Sequence, residues 1–320
     1  MFFSIVIPLY NKVKYIEKAL TSVVNQTFVD WELIVVDDGS KDDSYEVTEY
    51  FLKTQARGLW HIIRQDNAGV GTARNNGVAA ASGDYVCFLD ADDWWDERFL
   101  EEMHGLIMTY PDAGIYGTAF SQVKGGVIKQ APIGVDKDFE HGYIDYVETY
   151  SRTMCMPLSS ISVAISCDVF REMGGFCPEL KIGEDFILWL QVALRYKVAF
   201  LNKPLTFYNH DVDAVDRAVG KLYQPEQTEY FCYQKIEKTY SDNKSLKCLL
   251  DKKRLYVLPK YLVSKKYRSW ARLELDNVDW TAYSKMTYLK HHAPAFVWKL
   301  WFMLVGLGVK MKKSLRGSRS

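Results

Sequence analysis

The chain has 320 residues, of which 48% are hydrophobic and 25% are charged, a composition typical of a folded globular protein rather than a disordered one. Lys and Arg number 40, as do Asp and Glu, so no overall charge would attract nucleic acid. The six cysteines lack C-x-x-C spacing, which argues against a zinc cage or a disulfide framework. The N-terminus lacks the basic start of a secretory signal. We therefore expect a cytoplasmic protein that does not bind nucleic acid.

The first hundred residues alternate between strand and helix patterns. Apolar runs predict strands at 4–7, ending at Pro8, and then at 33–36, 59–63 and 85–89, and helical spacing of apolar residues predicts helices at 15–28, 44–54, 70–81 and 99–110. Such alternation predicts an α/β fold, a mostly parallel sheet with helices on both faces. Ligands of such sheets bind beyond the carboxyl ends of the strands.

The pattern loosens after Gly114. It predicts a hairpin at 123–128, strands at 162–165 and 198–201, and helices at 168–173 and 186–196, the first of which is closed by Gly174-Gly175. After about His210 the chain is rich in Lys, Tyr and Leu and has no clear strand pattern. We expect an α/β domain over residues 1–212 and a helical C-terminal region over residues 213–320.

Carboxylates follow two of the predicted strands. Asp90, Asp92 and Asp93 come directly after the strand at 85–89, and three acids so close cannot all stay ionised at low cost unless a cation joins them. Mg²⁺ and Mn²⁺ take oxygen ligands and often share their coordination shell with substrate phosphates. A second pair, Asp37 and Asp38, follows the strand at 33–36. Two acidic strand ends in one α/β pattern predict a nucleotide site.

A third polar segment opens the helix predicted at 70–81. Gly69, Gly71, Arg74 and Asn75 lie where backbone N–H groups and a guanidinium can meet phosphate oxygens. The alternative is that Arg74 forms a salt bridge with an acid. The spacing is not G-x-G-x-x-G, which disfavours a dinucleotide fold of the NAD type.

Six motifs in order together resemble family 2 glycosyltransferases of the GT-A fold, a Rossmann-like architecture. They are SIVIPLYN (4–11), VDDGS (36–40), QDNAG (65–69), ARNNG (73–77), FLDADD (88–93) and GED (183–185), and they extend over about the first two-thirds of the chain. The resemblance implies an inverting transferase that moves a sugar from a UDP-sugar to a hydroxyl of a glycan or a lipid-linked saccharide. The alternative is a catalytically silent protein of the same fold that binds sugar nucleotides or serves as a membrane scaffold.

The resemblance also implies roles at the nucleotide. Asp38 would accept the N3–H of uracil, with Asp37 supporting the turn, although an Asp-Gly turn alone explains this sequence as well. Asp90-Ala91-Asp92 matches the D-x-D motif, in which Asp90 lies near the ribose or the metal and Asp92 binds Mn²⁺ or Mg²⁺ directly. Asp93 could instead cap a helix. The other residues that the resemblance places at the nucleotide are Pro8, Tyr10, Asn67, Gly69 and Arg74.

Two further residues take roles from the resemblance. Asp185 of the E-D motif would be the catalytic base that removes the proton of the acceptor hydroxyl, and the two acids would also suit a helix N-terminus. His210 lies where some GT-A enzymes have a metal ligand, but Asp211-Val212-Asp213 replaces the Ser-rich continuation of the family. The alternative for His210 is a surface or hydrogen-bonded histidine.

The C-terminal region contains a nearly continuous apolar run. Residues 296–309 include Trp298 and Trp301 and are followed by several Lys and Arg residues. The run is shorter than the roughly 20 residues of a spanning helix. It predicts an interfacial helix over residues 294–313 with a basic tail attracted to anionic lipid. We therefore expect a peripheral protein on the cytoplasmic face of the inner membrane.

Overall fold

The computed structural model describes residues 2–56, 58–213 and 221–304. The chain divides into two compact units, Met1–Gln234 and Lys235–Ser320, and each is described by itself.

The first unit is built on a ten-stranded sheet, as counted over the described residues, with the order β3-β2-β1-β4-β9-β6-β10-β5, while β7 pairs with β6 and β8 pairs with β10. The strands are β1 (Phe3–Leu9), β2 (Trp31–Asp37), β3 (Leu59–Arg64), β4 (Tyr85–Phe88), β5 (Trp94–Trp95), β6 (Ala113–Lys124), β7 (Val127–Gln130), β8 (His141–Ile144), β9 (Val163–Ser166) and β10 (Lys197–Asn209).

The predicted parallel sheet is confirmed for the first four strands in this order. β1 pairs in parallel with β2 and with β4, and β2 pairs in parallel with β3. The expected end of β1 at Pro8 is wrong, because the strand continues to Leu9. Pairing with β4 stops at Val6, so Pro8 has only β2 beside it and its missing N–H leaves no gap in a two-sided ladder.

The other half of the sheet is mixed. β9 pairs antiparallel with both β4 and β6, whereas β10 runs parallel to β6. β10 has 13 residues and extends well past the predicted strand at 198–201. Register irregularities on both sides of Pro204 let the strand continue through a residue that normally interrupts a ladder. The hairpin predicted around Gly125-Gly126 is confirmed, with Lys124 opposite Val127.

Helices cover both faces of the sheet, as predicted. In the first unit they are α1 (Ile16–Val24), α2 (Ser44–Gln55), α3 (Val70–Ala79), α4 (Phe99–Thr109), α5 (Tyr146–Thr153), α6 (Cys167–Glu172) and α7 (Glu184–Ala193). Ile5 and Ile7 share a core with α1 and α4, while Val6 points to the opposite face. There Gly77 of α3 lies so close that an added Cβ would be 2.4 Å from Val6 Cγ1. This contact packs α3 closely against β1, and the helix begins in the loop that follows the carboxyl end of β3.

The second unit is helical, as predicted for the C-terminal region. Its elements are α8 (Tyr230–Thr239), which begins in the first unit, α9 (Lys244–Leu262), α10 (Arg268–Asp276), α11 (Lys285–His292) and a last helical segment, residues 295–304. Leu258, Tyr261, Leu275 and Trp298 belong to its small core. The remainder of the predicted helix 294–313, with the basic tail, lies outside the described residues. Of the helices described, none has the length and apolarity to cross a bilayer.

Candidate active site

The carboxyl ends of β1, β2 and β4 meet at one edge of the sheet, because the three strands are parallel neighbours. The loop after β1 is joined there to the loop after β2. Asn11, held in a left-handed conformation with φ of 51°, receives a hydrogen bond from Lys41 N (2.8 Å) and donates its own N–H to Ser40 Oγ (3.1 Å). Tyr10 is 40% exposed beside this junction, and Pro8 precedes it within β1.

Asp38 is buried and organises the loop that leads into α3. Its Oδ1 accepts hydrogen bonds from Ala68 N (2.7 Å) and Gln65 Nε2 (2.8 Å), and its Oδ2 accepts from Gly69 N (2.9 Å). Asn67 Nδ2 donates to the Asp38 carbonyl at 3.0 Å. The carboxylate therefore holds a loop rather than only a turn, and its contact with a nucleobase stays a prediction.

Asp37 is fully buried at the end of β2. Its Oδ1 accepts from Ser40 N (3.2 Å), which supports the turn as predicted. Arg64 Nε lies 3.2 Å from Oδ2, but the alignment is too poor for a hydrogen bond. The pair is therefore an ion pair only, and Asp37 serves the fold of the turn.

Arg74 of α3 connects the two acidic motifs. The guanidinium is buried, donating from Nη2 to Asp90 Oδ1 (2.7 Å) and from Nη1 to Glu184 Oε1 (2.9 Å), while Nε has no hydrogen-bond partner among the described residues. Burial lowers the pKa of Arg74, but the charges of Asp90, Glu184 and Asp185 outweigh this effect and raise the pKa. The structure shows the salt bridge that the sequence left as the alternative. Contact with a phosphate stays a prediction.

The acids after β4 outnumber the basic side chains that form ion pairs with them in the described residues. Asp92 Oδ2 is 2.7 Å from Lys12 Nζ, and Asp93 Oδ1 accepts from Asn209 N at 2.7 Å. Asp93 Oδ2 is buried without a partner among the residues described. Burial and then neighbouring charges raise the pKa of Asp93 well above its usual value, and burial also raises that of Asp92. Asp93 caps no helix, since β5 follows it and α4 begins only at Phe99.

The donor set after β4 suits a hard divalent cation. Over the described residues, no group of three or more His, Cys, Asp or Glu side chains converges as a closed metal cage. Mg²⁺, however, is commonly held by one or two carboxylates together with substrate phosphates, and Asp90 and Asp92 offer these oxygens. Asp93 Oδ2 is a buried acceptor without a donor among the described residues, and the neighbouring acids add to the burial that raises the pKa of Asp93. The residues therefore fit Mg²⁺ or Mn²⁺.

His210 follows the last residue of β10. Its backbone N–H donates to the Val123 carbonyl (2.8 Å), and its ring packs edge-on against Tyr208 with centroids 4.9 Å apart. Its role as a metal ligand stays a prediction.

Glu184 and Asp185 form the first turn of α7, which begins two residues earlier than predicted. Asp185 is half-buried and accepts from Ser160 Oγ (3.0 Å) through Oδ2. Glu184 is buried, and burial followed by the charge of Asp185 raises its pKa to about 7, although Arg74 opposes the shift. The two acids therefore begin a helix, as one interpretation of the sequence predicted, and Glu184 also pairs with Arg74. The role of Asp185 as catalytic base stays a prediction.

The sequence profile of glycosyl transferase family 2 matches residues 4–163, half of the chain. The chain belongs to this family. The match covers five of the six motifs, from SIVIPLYN to FLDADD.

Glycosyltransferase relatives agree with the assignment to family 2, and solved structures share the fold. Glycosyltransferase GlyA of Streptococcus pneumoniae is 32% identical over 212 residues, which cover 64% of this chain but only 30% of GlyA. The putative teichuronic acid biosynthesis glycosyltransferase TuaG of Bacillus subtilis is 27% identical, and the match covers 74% of this chain and 89% of TuaG. The crystal structure of TarS residues 1–349 from S. aureus with UDP-GlcNAc superimposes with a TM-score of 0.60 at 18% identity, covering 92% of this chain and 76% of that one. This likeness confirms the GT-A fold.

Three residues of this family 2 protein that the sequence analysis did not single out lie at the site. Lys12 contacts Asp92, Ser160 contacts Asp185, and the phenol of Tyr208 has a pKa raised by burial and by the charges of Asp93, Asp90, Asp92 and Asp185. Tyr208 therefore lies near both acidic motifs. Lys12 could have been found, because it closely follows a strand that neighbours β4. Tyr208 could not, because the prediction ended its strand at 201.

Proposed function

We propose that the protein is an inverting, metal-dependent glycosyltransferase of the hexosyltransferase type. It transfers a sugar from a UDP-sugar to a hydroxyl of a glycan or a lipid-linked saccharide. The observation that carries this proposal is the Arg74 bridge, which brings Asp90 of the D-x-D motif and Glu184 of the E-D motif to one guanidinium. A donor bound at the strand ends and a base on α7 would therefore act in the same cleft.

The nucleotide would bind over the loops that follow β1, β2 and β3. Asp38 fixes the loop before α3 and can offer a remaining lone pair to the imide of uracil, while Pro8, Tyr10 and Asn67 border this region. Gly69 has φ of 96° and leads into the first turn of α3, whose free N–H groups suit an anion. A UDP donor is supported by the family and by the UDP-GlcNAc complex of TarS.

Asp90 and Asp92 would hold Mg²⁺ or Mn²⁺ together with the diphosphate, with His210 as a further ligand. When bound, the metal would neutralise the negative charge that grows on the departing nucleotide. Lys12 already places one positive charge on Asp92 and would remain close to the diphosphate. Arg74 keeps Asp90 oriented through a hydrogen bond of 2.7 Å.

Asp185 would accept the proton of the acceptor hydroxyl as the oxygen attacks the anomeric carbon in line with the leaving group, which inverts the configuration. Ser160 donates to Asp185 Oδ2 and thereby orients the carboxylate. Arg74 binds the adjacent Glu184 and fixes the start of α7. Arg74 forms its ion pairs with Asp90 and Glu184, and Asp185 has no ion pair among the described residues. Its carboxylate would therefore remain free to accept a proton.

We further propose that the protein works at the cytoplasmic face of the inner membrane as a peripheral protein. The apolar residues exposed on the last helical segment support this location. A lipid-linked acceptor would be presented at the same surface. The boundary between the catalytic domain and the helical C-terminal region is placed at 212/213 in this proposal.

The proposal is tested by incubating the purified protein with a panel of UDP-sugars and one other nucleotide sugar and measuring UDP release and products by mass spectrometry. We expect turnover with one UDP-sugar, loss of turnover on chelation and recovery with Mn²⁺ or Mg²⁺. Binding of UDP-sugars without turnover across a broad acceptor panel would contradict it and favour the silent binding protein. Full turnover after chelation would contradict the metal dependence.

A further inference from the structure

The helices near the end of the second unit expose an unusual amount of apolar surface. Ten large hydrophobic side chains between residues 286 and 304 are exposed, and three of them are aromatic residues on the last helical segment, Phe296, Trp301 and Phe302. The full set is Met286, Tyr288, Leu289, Phe296, Val297, Leu300, Trp301, Phe302, Met303 and Leu304. Large exposed apolar patches mark contact with a membrane or another molecule.

A basic cavity lies at the junction of α11 and this apolar surface. It has a volume of about 290 Å³, and its walls include Arg268 and Arg272 of α10, His292 of α11 and one acid, Asp276. Ala293 and Ala295, which connect α11 to the last helical segment, complete the wall. The cavity is therefore bounded by the start of the last helical segment, which carries the exposed aromatic residues, and it has an excess of positive charge.

The two arginines are available for a ligand. Arg268 Nε donates to the Leu262 carbonyl (3.0 Å), which orients the guanidinium, and its two Nη groups have no hydrogen-bond or ion-pair partner within residues 221–304. Arg272 is exposed and has no ion pair within the part of the chain that the structure describes. Guanidinium groups bind phosphate oxygens through paired N–H donors, so two of them facing one cavity suit a phosphate.

We propose that this cavity binds the phosphate of an anionic membrane lipid while the neighbouring apolar residues enter the lipid interface. A lipid joins a phosphate to an apolar body, so one ligand would satisfy both features of the surface. Lys290 Nζ lies 5.4 Å and 5.6 Å from the ring centroids of Trp298 and Trp301, which places another cation beside the aromatic residues. Tryptophan and basic residues together are typical of the membrane interface. This inference rests on the peripheral location given under the proposed function.

The test is flotation of the full chain with vesicles of phosphatidylcholine alone and with vesicles that also contain phosphatidylglycerol. We expect binding to the anionic vesicles only. Arg272→Gln should weaken that binding by roughly fivefold, since one basic residue near an anionic surface contributes about 1 kcal/mol. Arg272→Lys should restore part of it. Lys244→Gln, which removes an exposed charge at the start of α9 away from the cavity, is the matched control and should bind almost as the unchanged chain does.

Failure of this inference is distinguishable from failure of the proposed transferase activity. Arg272→Gln should keep its melting temperature and its UDP release in solution, and Asp185→Asn should still bind vesicles. Equal weakening by Arg272→Gln and Lys244→Gln would overturn the cavity as a phosphate site. Equal binding to both kinds of vesicle, or displacement by inorganic phosphate at the concentration of the lipid, would overturn recognition of an anionic lipid.

Discussion

The two units of this protein differ in how completely their buried charged groups are hydrogen-bonded. In the second unit Arg254 is fully buried, and each of its guanidinium nitrogens donates to a carboxylate of Glu237, Asp251 or Glu274. In the first unit the cluster around Arg74 leaves Arg74 Nε and Asp93 Oδ2 buried without hydrogen-bond partners among the described residues. A network in which every buried charged group is hydrogen-bonded stabilises the fold. Buried polar atoms without hydrogen-bond partners cost stability and therefore indicate where a ligand is expected.

The strongest test of a ligand site in the first unit is substitution of Asp185, for which we expect the largest loss of activity. Asp185→Asn keeps the shape of the side chain but cannot accept the proton, so the rate of sugar transfer should fall by roughly 10²- to 10⁴-fold. The initial rate of UDP release at saturating donor and acceptor is the measurement. Asp168→Asn, an equivalent change in an exposed acid of α6, should have no effect. A rate close to that of the unchanged protein would remove Asp185 as the base.

The next largest effect is expected in the satisfied network of the second unit. Arg254→Met leaves Glu237, Asp251 and Glu274 without their shared cation, and breaking a buried ion pair in this way costs about 3–5 kcal/mol of unfolding free energy. Urea denaturation of the full chain measures it. Arg98→Met, which removes exposed ion pairs with Glu101 and Glu102, should change the stability little. If both variants unfold alike, the network is not what stabilises the second unit.

The sequence predicted the parallel half of the fold well because apolar runs and helical periodicity are local signals. It also found the acids after β2 and β4, since their positions depend only on where strands end. It could not reveal that Arg74 joins Asp90 to Glu184, because that contact depends on how closely Gly77 lets α3 approach the sheet. The length of β10, and with it the position of Tyr208, depends on a register irregularity at Pro204 that local patterns do not show.

A smaller effect, dependent on pH, is expected at Glu184. Its pKa is about 7 in the folded chain, chiefly through burial, against an ordinary value of 4.5. Between these values the folded chain holds a proton that the unfolded chain has lost, so the unfolding free energy decreases as pH rises. The stabilising contribution is complete below 4.5 and is lost as pH passes 7. A shift of this size corresponds to a few kcal/mol at most.

Urea denaturation near pH 5 and near pH 8 measures the effect, because most of the interval between the two pKa values of Glu184 lies between these pH values. The decrease in unfolding free energy should be smaller for Glu184→Gln than for the unchanged chain. Glu17→Gln, which changes an exposed glutamate of α1, should keep the full decrease. If Glu184→Gln shows the same decrease as Glu17→Gln, burial and the charge of Asp185 do not raise the pKa of Glu184 in the folded chain. The contrast between the buried charges of the two units would then lack this electrostatic support.

The smallest effect is expected at Lys12, the side-chain cation that pairs with Asp92 in the first unit. Lys12 Nζ lies 2.7 Å from Asp92 Oδ2 and would compete with a divalent metal for that oxygen in the absence of donor. Lys12→Met should therefore strengthen Mn²⁺ binding without donor by roughly tenfold, the size of a typical hydrogen bond between charged groups. Calorimetric titration with Mn²⁺ measures the affinity independently of turnover. Lys14→Met, which removes an exposed ion pair with Asp213, is the control and should leave the affinity unchanged. Weaker Mn²⁺ binding after Lys12→Met would mean that the lysine supports the metal site rather than competing with it. The acids after β4 would then resemble the fully hydrogen-bonded network around Arg254, despite the unpaired Asp93 Oδ2.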